Sequence, residues 1–212
     1  DLSAYAGQQV YIAIRHFNCT DMFMLDVDDI ALASAKSRDE VTYDFDDSTM
    51  ATGWTTIDAD GDGYNWVLGS ECGGISLVAG GSLEGSGHNS SNDLIVSGSF
   101  SNVTGVGALT PDNFLVSPQV TIGDGSSISL WACGQDASWA SDHFGVAVST
   151  TTPTANAFAM VNEWTMTSKG ERYSGPRGNR DQGTWHQYTV DLSAYAGQQV
   201  YIAIRHFNRF FK

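Results

Sequence analysis

The segment DLSAYAGQQVYIAIRHFN occupies residues 1–18 and recurs without change as residues 191–208. In the first copy Val10, Ile12 and Ile14 are separated by single residues, so they fall on one face of an extended chain. Period-two alternation of this kind indicates a strand with one buried face. Because an identical segment of this length does not arise by chance, the repeat also indicates tandem modules in a longer parent protein.

The repeat sets the module boundaries. The first copy runs on into residues 19–30, whereas the second is followed by the four residues RFFK. Between the copies, residues 31–40 are small and polar and contain Lys36 and Arg38, which is typical of an exposed linker. The domains we expect are the C-terminal tail of a preceding module at 1–30, a linker at 31–40, the main module at 41–208 and a truncated or foreign tail at 209–212.

The tail of the first module contains a strand that needs a partner. Phe23, Leu25 and Val27 lie on one face of an extended segment, and such a face should not remain in water. The main module has no copy of residues 21–30. We therefore predict that this segment completes the sandwich of the main module, either within one molecule or by exchange between two molecules.

The main module alternates apolar and polar residues in short runs, and it has no long stretch of helical period. Glycine, of which the chain has 23, and other turn residues separate the runs. The spacing predicts an all-β fold, a jelly-roll β-sandwich of two antiparallel sheets. The candidate strands are 41–45, 54–57, 93–96, 113–116, 128–131, 144–149, 157–161, 186–190 and 200–205.

The charge balance excludes one class of partner. Among 212 residues, 24 are acidic and 10 are basic, which gives a formal net charge of −14. Nucleic-acid binding needs clustered Lys and Arg that displace counterions from phosphates, so we expect no nucleic-acid partner. No apolar run approaches the roughly 18 residues of a membrane span, so we also expect no transmembrane segment.

The strongest chemical signal is the run DADGDG at residues 58–63. Alternate carboxylates on a glycine-bent loop converge several oxygens on a hard cation such as Ca²⁺. The run fits the start of an EF-hand loop, but Gly69 stands where that loop needs a bidentate Glu. It is therefore either a calcium loop of another kind or a polar turn. Asp44 and Asp46 flank Phe45 on a predicted strand, so they share one face and are candidates for the same site.

No catalytic pattern accompanies this loop. The chain has no HExxH zinc motif and no G-x-S-x-G nucleophile motif. Its five Glu are too scattered to supply the paired carboxylates of a glycanase. We therefore expect the chain not to be an enzyme, and we interpret each of the five His as a surface or hydrogen-bonded residue.

Four segments of the main module carry a resemblance to a known family. They are WTTIDADGDGYNW (54–66), ALTPDNFLVSP (108–118), DHFGVAVST (142–150) and residues 183–208. In this order they resemble the cleaved-adhesin modules in the haemagglutinin/adhesin regions of lysine- and arginine-specific gingipains and related haemagglutinins. Those proteins are secreted and cell-surface proteins of a periodontal bacterium. The resemblance covers essentially all of residues 41–208, and residues 1–30 resemble the tail of a neighbouring module.

The resemblance implies a calcium-stabilised jelly-roll sandwich, similar to galactose-binding and MAM folds, without catalytic activity. It implies a Ca²⁺ cofactor whose metal ligands are Asp44, Asp46, Asp58, Asp60, Asp62, Asp142 and Ser90. The family often has Ser-Phe-Glu where this chain has Asp44-Phe45-Asp46.

The resemblance also implies binding partners and processing. The expected partners are haemoglobin, the erythrocyte surface, matrix proteins of the fibronectin and fibrinogen type, and neighbouring adhesin modules, with haemolysis as a further activity. Lys36 and Arg38 suit processing by parent proteases that cut after Lys and Arg. From the residues themselves, the Gly/Ser-rich stretches 134–141 and 168–184 offer candidate contacts in Trp139, Tyr173 and Arg172 or Arg177, with core packing as the alternative for the aromatic residues. Two other functions stay open, a carbohydrate-binding module and a structural spacer in a tandem array.

Overall fold

Strands and short turns make up the part of the chain that the structure, a computed structural model, describes: residues 43, 45, 47–50, 52–136, 141–166 and 185–207. All of these residues lie in one of the two units into which the chain divides, Glu40–Lys212. The predictions for the tail segment 21–30, for Lys36 and Arg38 in the linker, and for residues 209–212 fall outside the described residues.

Twelve strands are found within these ranges, and the helices there are single 3₁₀ turns. The strands are β1 (Thr55–Asp58), β2 (Val67–Leu68), β3 (Ile95–Val96), β4 (Phe100–Ser101), β5 (Gly107–Ala108), β6 (Asp112–Val116), β7 (Val120–Thr121), β8 (Ser127–Ala132), β9 (His143–Ser149), β10 (Ala159–Thr165), β11 (His186–Asp191) and β12 (Gln199–Phe207). The 3₁₀ turns are Gly69–Glu71, His88–Ser90, Ala155–Ala157 and Ser193–Tyr195. The all-β prediction is confirmed.

The larger sheet has the order β1-β6-β12-β9-β10, with β7 pairing with one end of β12. Its pairings are antiparallel. The second copy of the repeat supplies β12, which lies between β6 and β9, with Ile204 opposite Leu115 and Ile202 opposite Val148. A strand in that position needs apolar residues on its buried face, which is why the alternation in the repeat is so regular.

The ribbon of β8 and β11 forms the second layer. Side chains on one face of the ribbon pack against buried residues of the larger sheet, and the cluster contains Ile128, Leu130, Val190, Val146, Val148 and Ile202. Two packed layers of antiparallel strands form the predicted sandwich. A smaller cluster around Cys72, Leu77 and Leu83 stabilises the long excursion between β2 and β6.

The structure departs from the predicted strands in three respects. The strand predicted at 93–96 is reduced to Ile95–Val96. Residues Ala155–Ala157 form a 3₁₀ turn, so the strand predicted at 157–161 begins at Ala159 and continues to Thr165. The two-residue strands β2, β4, β5 and β7 were not predicted, because two residues are too few to show alternation. Most of the candidate strand at 41–45 lies outside the described residues.

Gly145 lies where β9 is paired with the irregular part of β10. A methyl group at this position would overlap the backbone carbonyl oxygen of Asn162 and the end of the Met160 side chain. We expect Gly145→Ala to reduce the free energy of unfolding by about 3 kcal/mol, because the backbone of β10 must move. The matched control is Gly123→Ala, whose nearest contact is an ordinary 3.5 Å to Ser126 Oγ, and it should change stability by less than about 0.5 kcal/mol in urea denaturation. Equal effects of the two substitutions would contradict this packing.

Candidate metal centre

The loop after β1 brings three carboxylates together. Asp58, Asp60 and Asp62 each offer a carboxylate oxygen, and these atoms lie within 4.8 Å of one another. Two ligands of one calcium ion are separated by at most about 5.2 Å, which is twice the longest usual Ca–O bond. The separation and the hard oxygen donors therefore both fit a Ca²⁺ ion.

Backbone hydrogen bonds fix the shape of this loop. The N–H of Gly61 donates to Asp58 Oδ1 over 2.7 Å, and the N–H of Gly63 donates to Asp58 Oδ2 over 2.9 Å. Both glycines have positive φ, 73° and 85°, a conformation that a side chain disfavours. The pattern Asp-x-Asp-Gly-Asp-Gly therefore folds locally, with the Asp58 carboxylate closing the turn.

Both ends of the loop are attached to the larger sheet. Where the loop begins, Asp58 is opposite Asn113 in the β1–β6 pairing, and the N–H of Ala59 donates to the carbonyl of Asp112 over 2.9 Å. Where it ends, the amide of fully buried Asn113 donates to the carbonyl of Tyr64 over 2.9 Å. The Trp66 indole N–H donates in turn to the backbone carbonyl oxygen of Asn113. The sheet thus holds the loop in place at both ends.

The three carboxylates perturb one another electrostatically. Desolvation, a hydrogen bond shared with Asp58 and the charge of Asp62 raise the pKa of Asp60 to about 6. Desolvation also tends to raise the pKa of Asp58. Hydrogen bonds from the Gly63 N–H, the Asp60 side chain and the N–H groups of Gly61 and Asp62 outweigh it, so the pKa of Asp58 is lowered. The loop therefore favours a proton or a cation between these groups.

Asp142 lies in a different arrangement. It is not a member of the three-carboxylate group, and its Oδ1 accepts a hydrogen bond from Ser99 Oγ and lies 3.5 Å from Nε2 of buried His206. Desolvation acts to raise the pKa of Asp142, but the hydrogen bonds from His206 and Ser99 lower it. Nδ1 of His206 is hydrogen-bonded to Ser97 Oγ over 2.8 Å.

A chain of hydrogen bonds connects Asp142 to the acidic loop. The Asn113 amide that holds the end of the loop also donates to Ser97 Oγ over 3.1 Å, and Ser97 contacts His206, which faces Asp142. Asp142 is a ligand expected from the family resemblance, whereas the sequence gives no indication of Asn113 or Ser97. No local pattern identifies them, since the contacts join residues far apart in the chain.

The structure describes the remaining predicted ligands only in part. Asp44 and Asp46 lie outside the described residues, as do the candidate contacts Trp139, Arg172, Tyr173 and Arg177. The backbone of Ser90 ends the 3₁₀ turn His88–Ser90, in which Asn89 has a positive φ of 52°. The arrangement that the structure shows is therefore the loop of Asp58, Asp60 and Asp62.

The fold and this loop define a class of protein: an all-β sandwich module with an acidic, glycine-bent turn suited to a calcium ion. The chain belongs to the cleaved adhesin domain family, because the sequence model of that family, the Cleaved Adhesin Domain, matches residues 1–32 and 40–210.

Relatives agree with this assignment. The chain is 31% identical to Hemagglutinin A of Porphyromonas gingivalis, in an alignment that covers 98% of this chain and 13% of the relative. It is 42% identical to Gingipain R1 of the same organism over 73% of this chain and 8% of the relative. The chain thus spans a small fraction of the curated relatives that it matches.

Solved structures show the same fold. The K3 cleaved adhesin domain of Lys-gingipain from Porphyromonas gingivalis superposes with a TM-score of 0.62 at 40% identity, covering 78% of this chain and 87% of that domain. The K1 domain of the same protein gives a TM-score of 0.58 at 39% identity, covering 75% of this chain and 83% of that domain. The prediction of the family is confirmed.

Among the described residues, the structure contains no helix with the length and apolar character needed to cross a lipid bilayer.

Proposed function

We propose that this chain is a non-catalytic, calcium-stabilised adhesin module of a protein that is secreted or held at the bacterial cell surface. The observation that carries the proposal is the acidic loop of Asp58, Asp60 and Asp62 on a sandwich of the cleaved adhesin family. The names of the relatives, a haemagglutinin and gingipains, support a role in attachment.

The loop is prepared for a cation by its own backbone. Two N–H groups orient the Asp58 carboxylate, and the Asn113 amide holds the end of the loop. Little conformational entropy is therefore lost when the oxygens converge on an ion. When bound, Ca²⁺ supplies the positive charge that offsets the repulsion among the three carboxylates. Because the pKa of Asp60 is raised to about 6 in the free loop, protons compete with the cation for this carboxylate below about pH 6.

The proposed partners are host molecules. We expect haemoglobin, the erythrocyte surface and matrix proteins of the fibronectin and fibrinogen type to bind exposed loops on the rigid sandwich, and neighbouring adhesin modules to pack beside it. Haemolysis is a proposed consequence of erythrocyte binding.

A pull-down with the immobilised chain tests this function. Haemoglobin and erythrocyte membranes should be retained in calcium, and retention should fall at least about tenfold in EDTA, because loss of the bound ion destabilises the folded module that presents the binding surface. Retention of neither ligand in calcium would contradict the adhesin role and favour a structural spacer. Retention that EDTA leaves unchanged would contradict the role of calcium.

A further inference from the structure

Trp131 is an exposed indole held in a fixed position. Its side chain on β8 is 44% exposed, although a residue of this size is usually buried. The His88 ring stacks on it with a centroid distance of 4.0 Å and an interplanar angle of 16°. The ring of Trp185, just before β11, lies 5.6 Å from the His88 ring at an interplanar angle of 60°. The His88 ring therefore covers part of the Trp131 ring, and 44% of the Trp131 side chain stays accessible to solvent.

The surroundings of Trp131 are polar. Side chains alternate along the ribbon, so those that do not enter the core form its outer face. In the β8–β11 register Gln187 is opposite Trp131, and Thr189 is opposite Ser129. All four residues are exposed. We call them the ribbon platform: Trp131, Ser129, Gln187 and Thr189.

The platform carries no charge of its own. The nearest acidic residue along β11 is Asp191, whose Oδ1 accepts hydrogen bonds from the N–H and the hydroxyl of Ser193 at 2.8 and 2.5 Å. That carboxylate is engaged in closing the turn after the strand. The ribbon platform thus offers a ligand one rigid apolar ring, one side-chain amide and two hydroxyl groups.

We propose that the ribbon platform binds neutral hexopyranose glycans, with one sugar ring stacked on Trp131 and its hydroxyls hydrogen-bonded to Gln187 and Thr189. The inference rests on the proposed adhesin function, because it names the class of ligand that the adhesin takes. A pyranose has an apolar C–H face and a rim of hydroxyls, which matches an aromatic surface bordered by uncharged donors and acceptors.

Charge and polarity favour this ligand over two others. The chain has a formal net charge of −14 and the platform has no Lys or Arg, so sialylated or sulfated glycans are repelled. A protein partner favours an apolar core around an aromatic anchor, whereas the neighbours of Trp131 on this face are Ser129, Gln187 and Thr189. The stack on His88 also fixes the ring in advance, which reduces the entropy lost on binding.

Saturation-transfer NMR of the full chain with lactose, maltose and methyl α-mannoside tests the proposal, with 3′-sialyllactose as the anionic comparison. We expect transfer to the ring protons of at least one neutral sugar and weaker transfer to 3′-sialyllactose. Trp131→Ala should weaken binding at least about tenfold, and Gln187→Ala, which leaves the aromatic stack intact, about fivefold. The matched control is Phe100→Ala, which removes a 61% exposed aromatic ring on β4, outside the ribbon, and should bind as wild type does.

The same variants in the erythrocyte pull-down separate this inference from the proposed function. If the neutral sugar inhibits erythrocyte binding and Trp131→Ala also loses erythrocyte binding, both the glycan site and the adhesin function are supported. Erythrocyte binding without transfer to any sugar, or transfer unchanged in both ribbon variants, overturns the glycan site and leaves the adhesin function standing. Erythrocyte binding that Trp131→Ala weakens but no sugar inhibits also overturns it, in favour of a protein partner. Sugar binding without retention of erythrocytes or haemoglobin supports the glycan site and overturns the proposed host-binding function.

Discussion

Removal of calcium is expected to lower the melting temperature of this chain by about 10 °C. A ligand present at a thousandfold excess over its dissociation constant stabilises the folded state by about 4 kcal/mol. In a domain of this size each kcal/mol shifts the melting temperature by about 2–4 °C. The acidic loop joins β1 to the segment held by Asn113. Without the ion, the three carboxylates should repel one another at an edge of the larger sheet and destabilise it.

Differential scanning calorimetry in calcium, in EDTA and in magnesium measures this shift. Magnesium is the control for ionic strength and charge, because its shorter bonds and strict octahedral geometry suit a flexible carboxylate loop less well. We expect the order calcium, magnesium, EDTA from the highest to the lowest melting temperature. Coincident transitions in the three buffers would show that the loop is only a polar turn, the alternative that its sequence leaves open.

Asp58→Asn is expected to weaken calcium binding at least about a hundredfold, since a charged oxygen ligand is lost. An asparagine still offers one carbonyl oxygen to the N–H groups of Gly61 and Gly63, so the turn itself should persist. Isothermal titration calorimetry of the apo chain gives the affinity, and circular dichroism checks that the sandwich is intact.

Asp191→Asn is the matched control for the removal of an acidic side chain. Its carboxylate also accepts hydrogen bonds in a turn, from Ser193, but it lies outside the three-carboxylate group. We expect calcium affinity within about twofold of wild type, because long-range electrostatic effects at the surface are screened by salt. Equal losses in the two variants would mean that the overall negative charge attracts the ion and that the loop geometry does not.

Sequence patterns predicted most of the sheet because the burial of its strands has a regular period. The strand at 200–205 was predicted from alternation within the repeat, and it forms the centre of the larger sheet as β12. β10 was shifted because Ala155–Ala157 have no pattern that distinguishes a 3₁₀ turn from the start of a strand. Which strands pair is set by packing across the whole module, and alternation alone does not specify it.

The acidic loop could be predicted because its geometry is local. Asp58, Gly61 and Gly63 determine the turn within six residues, so the spacing alone indicates that the carboxylates converge. The hydrogen bond between Ser97 and His206 joins residues 109 positions apart, and no spacing rule detects it. The ribbon platform escaped prediction for the same reason, because the stack of His88 on Trp131 depends on tertiary packing.

Native mass spectrometry of the chain purified in calcium tests the proposed calcium site most directly. The wild-type chain is expected to carry at least one bound calcium ion that survives desalting, and the double variant Asp58→Asn, Asp60→Asn is expected to lose one ion relative to it. A wild-type chain without calcium, or the same number of ions in both proteins, would contradict a calcium ion held by this loop.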